Sequence, residues 1–85
     1  MPSFFTNDYQ MLIKYLVSAR RNQRITQVQL AAALRVGQGV VSRIERCERR
    51  IDAIEFYHIC TLLDVAPIDI YNRFSPRFSA LTSLK

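Results

Sequence analysis

TQVQLAAALRVGQGVVSRIERCER, residues 26–49, is the stretch whose reading decides the fold. Thr26 is followed three residues later by Gln29, the reciprocal pair that caps a helix N-terminus. Leu30, Ala31 and Leu34 then repeat at helical spacing and mark an inward face. Arg35-Val36-Gly37 interrupts the pattern. It resumes from about Gln38 to Arg46, where Val41 and Ile44 sit three apart and point to a core. Gln38, Gly39, Ser42, Arg43 and Arg46 occupy the opposite side. Two short helices joined by so brief a break must cross closely, and the small Ala31 permits that. The stretch is the supersecondary pattern of a helix-turn-helix, centred on residues 26–46.

The flanks read as helices too. Upstream, Leu12, Ile13, Leu16 and Ala19 predict a helix over about Asp8 to Arg21, capped by Asn7 with Gln10. Downstream, Asp52 with Glu55 is a second capping pair. Phe56, Ile59, Cys60 and Leu63 follow as an apolar stripe at i, i+3, i+4, i+7. Pro67 suits a first helical position, and Ile70, Tyr71 and Phe74 continue from it. Strand-like alternation and internal repeats are absent from the sequence. The expectation is all-α: a small bundle of four to five helices, with residues 1–74 as one domain. Residues 75–85 form a tail in which Ser75-Pro76 can start a further helix or a dimerisation segment.

Composition narrows the function. A chain of 85 residues holds one core and little room for an enclosed catalytic cleft. Its longest apolar runs fall far below the roughly 18 residues of a membrane span. The first ten residues carry Asp8 and no Lys or Arg, so no signal peptide is expected, and the cytoplasm is the default. Two cysteines, Cys47 and Cys60, are too few for a disulfide scaffold. His58 and Cys60 fall on different faces of their helix, so no metal or other cofactor is expected. One histidine without a paired carboxylate gives no catalytic constellation, and the chain reads as a non-enzyme. The charge is informative. Residues 20–50 hold eight arginines against two glutamates, within a net charge of +5 for the whole chain. Arginine's planar fork suits phosphate and guanine, so the stretch points to nucleic acid.

Residues 26–49 resemble the Cro/repressor-type helix-turn-helix family, also called the xenobiotic-response-element (XRE) family. Its pattern reads roughly T-Q-x-x-L-A-x-x-L-G-V-S-x-x-x-I-S-x-I-E-x-G-x-R. The resemblance extends over about residues 20–74 and implies a lambda-repressor-like DNA-binding domain. Two departures fall at turns. Arg35 and Cys47 stand where the family usually has glycine, so both turns are expected to be kept with some strain or slightly altered. Gly37 replaces the usual serine at the start of the second motif helix, where glycine is an acceptable cap.

The resemblance also implies a mechanism. The helix after Gly37 would lie in the major groove, with Gln38, Gly39, Val40, Ser42 and Arg43 at the bases. Gln38 suits adenine, Arg43 suits guanine, and Val40 suits a thymine methyl. Gly39 allows close approach. Arg24, Thr26, Gln27, Gly37, Arg46, Arg49 and Arg50 would hold phosphates. Arg20 and Glu45 match a family pair that forms a structural salt bridge. Ile54, Tyr57, Leu62, Tyr71, Phe74, Phe78 and Leu81 exceed what one small core can cover and are the candidate dimer surface. Phe4 and Phe5 are the alternative cover for part of it. The implied function is a dimeric, cytoplasmic, nucleoid-associated repressor of transcription on a near-palindromic site. An antitoxin-like protein that also binds a toxin, and an interaction module without DNA binding, are the alternatives.

Overall fold

In a computed structural model the described residues are 6–79. They form five helices and no strand: α1 (Asn7–Asn22), α2 (Gln27–Leu34), α3 (Gln38–Glu45), α4 (Ala53–Leu62) and α5 (Pro67–Ser79). One core joins them all. It is built from Ile13 and Leu16 of α1, Leu30 and Ala31 of α2, Val41 and Ile44 of α3, Ile59 and Cys60 of α4 with the adjoining Leu63, and Ile70 and Phe74 of α5. Burying each large aliphatic side chain contributes about 1.5–3 kcal/mol, which is what holds helices this short in place.

Local chemistry sets the helix starts. Thr26 and Gln29 form a complete capping box at α2, and Asp52 with Glu55 forms one at α4. At α1 the cap is Thr6, whose hydroxyl accepts the Tyr9 N–H at 3.2 Å. This corrects the expected cap at Asn7, which is already helical. Either residue can cap chemically. The first helical bond, from the Gln10 N–H to the Thr6 carbonyl at 2.9 Å, places the boundary one residue earlier.

The helix ends share a device. Arg24, Arg35, Cys47 and Asp64 all have left-handed backbone, with φ of 58°, 60°, 58° and 54°. At each, two reversed hydrogen bonds close the last turn. At α2 the Val36 N–H donates to Ala31 O (3.0 Å) and the Arg35 N–H to Ala32 O (3.1 Å). The same pair of bonds recurs at Ile25 and Arg24, at Glu48 and Cys47, and at Val65 and Asp64. This is the Schellman closure, which usually takes glycine. Both glycine-replaced turns therefore keep the conformation that glycine favours.

Helix α5 departs from expectation. It continues through Pro76 to Ser79, with no break at Ser75-Pro76. Pro76 cannot donate to the Asn72 carbonyl one turn back, and the Ser75 hydroxyl approaches that carbonyl at 3.4 Å instead. Phe74, expected on a dimer surface, is 5% exposed and belongs to the core, edge-on to Tyr15. The i, i+4 spacing of Ile70 and Phe74 turns both inward and leaves Tyr71 outside.

Candidate nucleic-acid interface

Helix α3 is the element on which the site rests. Its underside is fastened by Val41 (1% exposed) and Ile44 (6%), with Val40 half-buried beside them. Its outer side carries Gly39, Ser42, Arg43 and Arg46 at i, i+3, i+4 and i+7, with Gln38 at its tip. All of these are exposed except Ser42, which is half-buried. Arg43 makes no ion pair among the described residues. Arg46 meets Glu48 at 3.3 Å, but both side chains are more than half exposed, so the contact restrains Arg46 weakly. Val40, considered above for a thymine methyl, spends much of its surface on the core.

A buried ion pair positions α3 against α1 and α2. The Arg20 guanidinium donates to the two Glu45 oxygens at 2.6 and 2.9 Å, and to the Ile25 carbonyl at 2.7 Å. The two side chains are 8% and 11% exposed. Gln27 then donates its amide to Glu45 at 2.8 Å, and its carbonyl oxygen lies 3.5 Å from the Gln38 amide nitrogen. Gln27 is thus oriented by the carboxylate rather than swinging freely toward a phosphate. An amide nitrogen has two hydrogens, so one remains for another acceptor. Sequence reading paired Arg20 with Glu45 but missed Gln27 as the third member. No spacing rule marks a contact between the first residue of one helix and the last of another.

The loop after α3 is cationic and braced. Arg49 donates to both Glu55 oxygens, at 3.2 and 2.9 Å, linking the loop to the capping box of α4. Those bonds, followed by the Asp52 N–H, hold the Glu55 carboxyl below its ordinary range, and the Glu55 contact raises Arg49. Arg50 lies over the Tyr9 ring at 4.8 Å from its centre, while the Tyr9 hydroxyl accepts the Ile51 N–H at 3.2 Å. Burial pushes the Tyr9 hydroxyl up despite that bond. Arg24 is exposed at the end of α1, and Thr26 is exposed at the start of α2. Gly37 caps α3 with no side-chain bond.

The remaining sequence candidates separate by burial. Cys60 is fully buried and its thiol is pushed up by burial, whereas His58 is exposed. Ile54 (63%), Tyr57 (54%), Leu62 (38%) and Tyr71 (57%) are exposed. Ile68 at 59% joins them, which sequence reading missed because Pro67-Ile68 opens a helix before any stripe is established. The Phe78 side chain, Leu81, Phe4 and Phe5 lie outside the described residues.

Two short helices crossing at Ala31, the second presenting a cationic face, define a helix-turn-helix domain. The helix-turn-helix family profile matches residues 16–70. A solved structure, an XRE-family like protein from Pseudomonas syringae pv. tomato str. DC3000, is similar to this chain, with 37% identity and a TM-score of 0.76. The match covers 84% of this chain and 89% of that one. No curated protein matches. The chain belongs to the XRE-type helix-turn-helix family of DNA-binding regulators. No described helix is long and apolar enough to cross a membrane.

Proposed function

We propose that the chain is a dimeric repressor that reads a near-palindromic site in double-stranded DNA. The observation that carries this reading is the outer stripe of α3, polar and cationic above an underside fixed by Val41 and Ile44. Gln38, Ser42 and Arg43 reach base edges, with Gly39 and the rim of Val40 at close range. Arg24, Thr26, Gln27, Gly37, Arg46, Arg49 and Arg50 grip phosphates. Gln27 does so with its second amide hydrogen and the α2 N-terminus behind it. Arg49 does so while held by Glu55.

Dimerisation uses the apolar face of α4 and α5. Ile54, Tyr57, Leu62, Ile68 and Tyr71 support it by their exposure. Two copies would set their recognition helices about 34 Å apart, matching successive major grooves. The second reading, an antitoxin that covers this face with a toxin, rests on the same side chains. Either role is cytoplasmic and needs no cofactor.

Selection of bound sequences from random duplex DNA tests the proposal, combined with sedimentation of the free protein. A symmetric consensus and a dimer at micromolar concentration are expected. A bound site without symmetry, from a protein that sediments as a monomer, refutes the dimer. Failure to enrich any sequence refutes the whole reading.

A further inference from the structure

Gly39 has no reason to be glycine inside the protein. Its φ is not positive, and a Cβ built on it would meet no atom within 4 Å. It lies in the second position of an eight-residue helix. There glycine weakens the helix, and alanine would strengthen it. Yet this position opens the outer stripe that continues through Ser42, Arg43 and Arg46. Neither backbone geometry nor internal packing therefore calls for the missing side chain, and the surface it leaves open faces outward.

We infer that Gly39 is a specificity-determining residue, whose bare Cα seats the first turn of α3 against the 5-methyl group of a pyrimidine in the major groove. The inference rests on the DNA-reading role proposed above. The CαH₂ unit is apolar and offers nothing to hydrogen-bond a base, so it fits a methyl better than an amide or carbonyl edge. Thymine and 5-methylcytosine both carry that methyl at the groove surface. In that close seating a Cβ at position 39 would stand where the methyl lies, whereas alanine reads a thymine methyl with its backbone set further out. Gln38, next to it, suits the adenine of a thymine–adenine pair, which places both recognitions on one base pair or on neighbours.

The test compares the wild-type chain with Gly39→Ala. Thermal unfolding comes first. The variant melts about 2–8 °C higher, because the helix gains a better former. Each protein then selects sites from random duplex DNA. The wild type enriches thymine at one position per half-site, and the variant loses that preference. At this position, duplexes carrying thymine, uracil, cytosine or 5-methylcytosine are titrated with both proteins. The wild type binds the two methylated bases at least fivefold tighter than their unmethylated forms, and the tighter of the two is the natural source. Gly39→Ala binds thymine at least tenfold more weakly than the wild type does, and uracil restores its binding to within threefold. A wild type that binds specific sites but treats uracil and thymine alike overturns the inference alone. So does a stable Gly39→Ala with an unchanged consensus. A wild type that enriches no sequence overturns the DNA reading and this inference together.

Discussion

Replacing Arg20 by methionine removes three charge-assisted donors from the interior at once. Two end on Glu45 at 2.6 and 2.9 Å and one on the Ile25 carbonyl at 2.7 Å. Glu45, with its side chain 11% exposed, is left with only the Gln27 amide. Breaking a buried pair by removing one partner costs about 3–5 kcal/mol, because the other charge stays desolvated. A domain of this size has a total stability of about 4–13 kcal/mol, so Arg20→Met stands near the edge of folding. Glu45→Met strands the guanidinium in the same way and costs a similar amount. The double variant Arg20→Met/Glu45→Met buries no unpaired charge and stays within about 2 kcal/mol of the wild type. The coupling in this cycle is therefore several kcal/mol, measurable by urea unfolding with the denaturant slope held common. The folded double variant should still lose DNA affinity, because Gln27 has lost the carboxylate that orients it. Single variants costing less than about 1 kcal/mol, or a double variant equal to the sum of the singles, would refute this account of the pair.

Three further outcomes follow from the geometry. Arg35→Gly and Cys47→Gly each relieve left-handed strain of about 1–2 kcal/mol against a gain in unfolded freedom of about 0.4–1 kcal/mol. The net gain, centred on about 0.8 kcal/mol, raises the melting temperature by roughly 3–6 °C; valine at either site lowers it. Glu55 sits below its ordinary carboxyl value of 4.5, chiefly through Arg49, so its contribution is full above that pH and is lost as pH falls through the lower folded value; Glu55→Gln flattens this part of the acid-unfolding curve. Arg43→Ala weakens binding of the selected site by about 1–3 kcal/mol and relaxes one base pair, whereas Arg46→Ala weakens all sequences alike and lowers the salt slope by about one; titrations at several salt concentrations separate the two.

Much of this fold was legible because its signals are local. Capping pairs at Thr26 and Asp52 and the stripes of α2, α3 and α4 involve residues three or four apart. The misreadings arose where two local rules competed. Thr6 and Asn7 are both good caps one residue apart, and cap chemistry alone does not choose between them. Pro76 breaks helices as a rule, yet α5 runs through it, giving up one backbone bond to the Asn72 carbonyl, which the Ser75 hydroxyl approaches instead. Phe74 was one of several aromatic residues in a row, and only the position of the core decided which faced in. The left-handed residues divide in the same way. Arg35 and Cys47 were detectable against a family pattern that has glycine there. Arg24 and Asp64 offered only the weaker sign of an apolar residue, Ile25 or Val65, directly after a helix end. The outer face of α3 followed from periodicity, whereas the Gln27–Glu45 contact needed the angle between two helices.

The placement of glycine in this chain runs against stability. Both glycines, at 37 and 39, stand at the start of α3 with negative φ and no crowding. Among the described residues, the four positions whose backbone favours glycine hold two arginines, a cysteine and an aspartate instead. A sequence chosen only for a stable bundle would exchange these assignments, with serine or aspartate capping α3 and alanine following. Local rules broken together on one element point to function, since strain and weak helix formers persist where a partner needs the surface they create. The two glycines fall together on α3, while the four left-handed residues are spread over the ends of α1 to α4. Glycines strip side chains from the end of α3 that faces outward, and arginine at 24 places a cation beside the start of α2 at the cost of backbone strain. The interior compensates through the Arg20–Glu45 pair and the closely packed Val41 and Ile44, which hold α3 despite its weak first turn. Val41 and Ile44 thus hold the underside of α3 in both of its turns, while the glycines leave the outer side of its first turn bare.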